Sequence, residues 1–112
     1  MLIVLGWFYY QYHNDKRIAD QVYKHYREGQ KLAFTDCDRA AEAFRHAFDL
    51  NSTLPTEFRQ DSLAISAKQF ELDGNNRCAA YGRSSPKIRS IIECNYKLAA
   101  ALRGSAQSKT CK

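Results

Sequence analysis

The sequence predicts an all-α fold: a small four-helix domain with a long N-terminal helix, stapled by two disulfides. Apolar residues recur at three- and four-residue spacing through four separate segments, the pattern of amphipathic helices. Pro and Gly punctuate those segments where helices start and stop. Cys37, Cys78, Cys94 and Cys111 form an even set with no C-x-x-C and no histidine at zinc-finger spacing, so disulfides fit better than a metal. At 112 residues the chain makes one domain, with a modest core that gains from cross-links.

In the first segment Val4, Phe8, Tyr12, Ala19, Val22, Tyr26 and Ala33 keep one helical phase, with Arg17, Asp20, Lys24, Arg27, Glu28 and Lys31 opposite. The phase is unbroken at Tyr12, which predicts a single rod of about 30 residues and roughly 45 Å. The second helix opens at Thr35-Asp36-Cys37-Asp38, with Thr35 as the expected cap, and buries Cys37, Ala40, Ala41, Phe44, Ala47 and Phe48. The A-x-x-x-F-x-x-A spacing of Ala40, Phe44 and Ala47 also occurs in tetratricopeptide repeats, but no second period follows and it reads as ordinary helix packing.

Asn51 to Pro55 ends the second helix, and Pro55 suits the first turn of a third that runs to about Leu72. Two apolar lines on that helix, Phe58, Ile65, Leu72 and Leu63, Ala67, Phe70, predict a central position covered on both sides. Asp73-Gly74-Asn75-Asn76 reads as a break, making residues 73–85 the longest loop. Ser85 as cap, Pro86 at the first position and Gly104 past the end frame the fourth helix, whose buried face is Ile88, Ile91, Ile92, Leu98, Ala99 and Leu102. The domain thus divides into an apolar and aromatic segment, 1–13, a helical domain, 14–104, and a polar basic tail, 105–112, tethered by Cys111.

Placing the cysteines on these helices orders the pairings. Cys37 at the start of the second helix shares an end of an up-down bundle with a loop bearing Cys78, and the tail is long enough for Cys111 to return to Cys94. That arrangement ranks first, and Cys37 with Cys94 and Cys78 with Cys111 follows closely.

Residues 1–12, MLIVLGWFYYQY, are uncharged and turn aromatic just before His13, Lys16 and Arg17, so that Trp7, Phe8, Tyr9, Tyr10 and Tyr12 fall where an interfacial belt would lie. The run covers roughly 18 Å of a hydrocarbon core about 30 Å thick and does not span it alone. No basic start or A-x-A site marks a signal peptide. Three readings follow: a monotopic anchor, a spanning helix that begins upstream of Met1, or a helix end buried in protein. Paired cysteines point to an oxidising compartment, whereas basic residues after the leader point to the cytoplasm. A start upstream of Met1 would reconcile the two.

Net charge is +5 and unevenly spread. Residues 35–73 carry four Lys/Arg against eight acids, and residues 74–112 carry eight against one. The basic third reads first as a solvated face that balances the acidic second and third helices; as a candidate binding surface, Arg77, Arg83, Lys87, Arg89 and Lys97 suit an acidic protein partner ahead of anionic lipid or cell-wall polymer, with nucleic acid last. No site for catalysis, metal or cofactor is expected. His13, His25 and His46 lack i, i+4 pairing with a carboxylate, His25 being placed at a helix boundary and His46 on the solvent side. The carboxylates fall on polar faces, and no serine sits in a nucleophile elbow. Asn51-Ser52-Thr53 matches a glycosylation sequon, but the preferred reading is loop and capping chemistry, which needs no secretory pathway.

The reading is therefore non-catalytic: an exported envelope or periplasmic protein, membrane-anchored through residues 1–13, that recognises another macromolecule. An inhibitor or immunity role is a fold-level analogy only. Two alternatives belong to other classes, a structural subunit of a membrane complex built on the N-terminal helix and a basic cytosolic nucleic-acid binder.

Overall fold

A computed structural model describes residues 2–82 and 85–111, with side chains described from Val4 onward. It contains α1 (Leu2–Leu32), α2 (Cys37–Ser52), a single 3-10 turn (Thr56–Phe58), α3 (Ser62–Tyr81) and α4 (Pro86–Leu102), and no strand among the described residues. α1 and α2 pack as one hairpin, α3 and α4 as a second, and the hairpins join chiefly through α2 against α4. The all-α class and the long first helix are as the periodicity predicts.

Four aromatic rings link α1, α2, α3 and the α1–α2 turn through the core: Tyr26 to Phe44 at 5.8 Å, Phe44 to Phe70 at 5.8 Å, and Phe70 to Phe34 at 6.1 Å. Val22, Phe44, Leu54, Leu98 and Leu102 are fully buried around them. Gly29 is what lets α1 come this close, because a Cβ there would enter the Phe44 ring. The Tyr26 hydroxyl hydrogen-bonds Ser66, tying α1 to α3.

Several expectations are corrected. α4 is the central helix, burying eight residues from Ile92 to Leu102. α3 is peripheral: it begins at Ser62, after the line containing Phe58, and leaves Ile65 and Leu72 exposed while Leu63, Ala67 and Gly74 face inward. Pro55 precedes the 3-10 turn and does not start α3. Asp36, not Thr35, caps α2, its carboxylate accepting from the Arg39 amide.

The expected loop at 73–85 is mostly helix, since α3 continues to Tyr81 and ends at Gly82 with φ 58°. Gly74 is a point of close approach: a Cβ there would lie 2.9 Å from the Tyr96 ring and 3.1 Å from Asn95 Cβ. Asn75 is spent on tertiary bonds, its carbonyl accepting from the Tyr96 hydroxyl at 2.7 Å and from Lys109 at 3.1 Å.

This extra length of α3 overturns the first-ranked disulfide pairing. The bridges are Cys37–Cys94 and Cys78–Cys111, closing sequence separations of 57 and 33. Cys37 opens α2 yet meets Cys94 well inside α4, so the α3–α4 hairpin runs on past the α1–α2 turn by about 12 Å. Cys78 lies in that extension, where the returning tail reaches it. A second, smaller core of Ile92, Tyr96 and Cys111, with Cys78 and Ile88 against it, fills the extension.

With an apolar helix end projecting at one pole and the α3–α4 extension at the other, the molecule measures 67 × 21 × 18 Å. Its radius of gyration, 17.3 Å, exceeds the roughly 13 Å of a compact chain of this length.

Three outcomes follow from this packing. Replacing Gly29 with Ala improves helix propensity but crowds Phe44, and is expected to lower stability by about 1–3 kcal/mol in urea denaturation. Peptide mapping without reductant should recover Cys37 linked to Cys94 and Cys78 linked to Cys111. Cys111→Ser should then cost about 2–4 kcal/mol, with amide exchange rising first in residues 86–96 and 105–110.

Candidate functional site

Two surfaces stand out, one at each pole. At the first, α1 leaves the bundle. Tyr12 is the last aromatic residue with a described ring contact to the domain, 5.6 Å from Phe58 of the 3-10 turn. Below it Gln60 donates to the Ala19 carbonyl at 2.8 Å, and Asp15, buried, accepts from Gln11 at 3.2 Å. Beyond this root Val4, Leu5, Trp7, Phe8, Tyr9 and Tyr10 are all exposed, between 54% and 68%. A Cβ added at Gly6 would meet no described side chain within 4 Å. Among the described residues the ring contacts of these side chains stay within α1, as in Trp7–Phe8 at 5.3 Å and Tyr9–His13 at 4.3 Å.

A helix apolar on every side is one that some other medium or molecule buries. From Leu2 to Tyr12 it reaches about 16 Å, roughly half a bilayer's hydrocarbon thickness. Among the described residues no helix is long and apolar enough to cross a membrane.

The second surface is at the α1–α2 turn and the base of the α3–α4 extension. Of the basic residues singled out from sequence, Arg77 and Lys87 come together on one groove with Phe34, Ser90 and Ile91. Lys97 lies in the neighbouring groove beside Cys37 and Cys94 and pairs with Asp38. Arg89 is exposed on α4, one helical turn from Glu93. Arg83 lies outside the described residues. Other cations of the basic third hold the fold: Arg103 pairs with Glu71 at 2.8 Å, and Lys109 rests 5.8 Å above the Tyr96 ring.

Phe34 escapes sequence reading altogether. It occupies a left-handed conformation, φ 65°, at the end of α1, a position whose usual signal is Gly or Asn. The residue is 49% exposed. Only the absence of any glycine between Lys31 and Cys37 hints that a bulky residue must make that turn.

His25 sits inside α1, not at a boundary, and its ring meets His46 of α2 edge-on at 5.5 Å. Among the described residues no group of three His, Cys, Asp or Glu could hold a metal ion. Asn95 is fully buried in α4 with neither amide atom hydrogen-bonded. Comparison of the chain with protein-family models, with curated proteins and with solved structures finds no match.

Tyr96 links the tail to the α3–α4 extension, and its burial, with the Glu71 charge adding to it, raises its pKa above the ordinary 10.0. The fold thus favours the neutral phenol. That stabilisation is complete below pH 10 and disappears as pH rises through the raised value. In an alkaline titration followed by phenolate absorbance, Tyr96 is expected to ionise above the ordinary value of 10.0. Tyr96→Phe should remove that component and the associated loss of stability above pH 10.

Proposed function

We propose that this protein is a non-catalytic, membrane-held binding protein of an oxidising compartment, anchored by the N-terminal end of α1 and offering its opposite pole to another macromolecule. The observation that carries the reading is the projecting helix end, with six large apolar side chains from Val4 to Tyr10 each more than half exposed. Burying one such side chain in an apolar phase is worth about 1.5–3 kcal/mol, so leaving all of them in water is a large and avoidable cost. Apolar groups on all sides suit lipid better than a protein groove, which would cover a single stripe. Trp and Tyr belong at the headgroup level, and His13, Asn14, Lys16 and Arg17 follow at once as a polar collar.

The two disulfides support an oxidising compartment. The alternative role, assembly into a larger membrane complex through α1, uses the same helix end and differs in what surrounds it.

Flotation of the full chain with neutral phosphatidylcholine vesicles tests the anchor. The wild type is expected to float, and replacement of Trp7, Phe8, Tyr9 and Tyr10 by Ser to reduce partitioning at least about tenfold. The same variant should keep its thermal midpoint, because those side chains are each more than half exposed and their described ring contacts lie within α1. A wild type that stays out of vesicles and sediments as a stable oligomer would replace this reading with assembly through α1; equal flotation of wild type and variant would remove the anchor.

A further inference from the structure

The α1–α2 turn needs one residue in the left-handed region, and the chain supplies Phe34 at φ 65°, the one non-glycine residue with positive φ among those described. Glycine takes that conformation without steric cost, while a bulky side chain is strained there. Full burial does not offset the strain, since the ring touches Phe70 on one side and is half open to solvent on the other. The open face looks onto a groove of about 460 Å³ that Phe34 shares with Ile91, Ser90, Arg77 and Lys87.

The lining is selective. Phe34 and Ile91 give an apolar floor, Arg77 and Lys87 give two cations, Ser90 gives a hydroxyl, and among the described lining residues there is no carboxylate. Nearby cations are committed elsewhere, Lys97 to Asp38, Arg103 to Glu71 and Lys109 to Asn75. Arg77 and Lys87 have no such partner among the described residues. They also lie in the stretch 74–112, which holds eight Lys/Arg against one acid.

We propose that this groove docks an acidic segment of a partner protein, with one aromatic or long aliphatic side chain lying on Phe34 and Ile91 and flanking carboxylates paired with Arg77 and Lys87. The volume, about 460 Å³, is that of a small ligand pocket, in which one buried apolar side chain and a guanidinium can carry most of the affinity. A single-stranded nucleic acid would want a track of several stacking rings along a continuous basic groove. Here there is one ring, and the adjoining groove contains Asp38 and Glu93. The proposal names the partner for the binding half of the function proposed above and is independent of the anchor.

Fluorescence anisotropy on the full chain in neutral detergent micelles tests it. Four labelled probes suffice: a short glutamate peptide with a central tryptophan, the same peptide with glycine at the centre, a lysine peptide with the same tryptophan, and a thymidine oligonucleotide. The tryptophan peptide is expected to bind at least about tenfold more tightly than its glycine control. Phe34→Gly, which suits the left-handed backbone, should lose that tenfold advantage while shifting the thermal midpoint by only a few degrees, about 4 °C or less. Arg77→Glu with Lys87→Glu should abolish binding of the acidic peptide and transfer preference to a lysine peptide with the same tryptophan. That pair keeps the test decisive should Phe34→Gly fail to fold.

Equal affinity for both acidic peptides, full affinity in Phe34→Gly, or tighter binding of the oligonucleotide would each overturn the proposal. Vesicle flotation with no peptide binding would leave the anchor standing and remove this groove. Peptide binding without flotation would do the reverse.

Discussion

The cross-link between Cys37 and Cys94 fixes the relation of everything else. Each hairpin is held internally by helix contacts along its length, but between hairpins the packing is mainly α2 on α4. On the α2 side that contact includes Cys37 and the small residue Ala41, which meets a run of small residues on α4, Ala100 and Ala101. Such a surface permits close approach and gives little to resist sliding by one turn. A covalent bond from the first residue of α2 to the interior of α4 removes that freedom. Once the register is set, the α3–α4 hairpin must overhang the α1–α2 turn, and the overhang creates both the second core and the groove under Phe34.

The overhang needs its own closure, because Ile88, Ile92 and Tyr96 have no α1 or α2 residue beside them in their cluster. The tail provides it. Gly104, at φ 67°, turns the chain back under Phe48, and Cys111 reaches α3 at Cys78. Lys109 contributes from the same strand of tail by bonding Asn75 and lying over Tyr96. A segment whose composition alone reads as a disordered end thereby becomes the third wall of a small core.

Sequence alone discloses the parts of this fold that depend on local rules. The continuous phase of α1 and the Pro86 and Gly104 boundaries of α4 follow from propensity and periodicity, and both are present. What it conceals are residues whose local meaning is reversed by a tertiary neighbour. Gly74 followed by two asparagines is turn chemistry in isolation. In the structure Tyr96 and Asn95 press against the glycine, and Asn75 receives the Tyr96 hydroxyl. The misplaced loop then carried Cys78 to the wrong position and the pairing with it. Phe34 is hidden for the opposite reason, as a residue whose type gives no sign of the backbone it must adopt. The exposed apolar end and the cationic character of the far pole are visible in sequence, but which cations remain available is decided only by the pairs that form in three dimensions.

Those pairs also bear on how the two poles work together. Near the root of the projecting helix, Lys16, Arg17 and Arg59 stand against Asp15, Asp20, Glu57 and Asp61, so the end facing a bilayer would carry no excess positive charge. Attraction to anionic headgroups therefore contributes little there, and apolar burial must do the anchoring. The positive charge lies instead beyond the α1–α2 turn. α1 connects the two ends as one 31-residue helix, about 46 Å long, packed against α2 from its middle onward. For a chain anchored as proposed, that helix is a strut: it sets the groove beside Phe34 a fixed distance from the lipid, several Debye lengths beyond the headgroup charge, where a partner's carboxylates are felt by Arg77 and Lys87 without competition from the membrane.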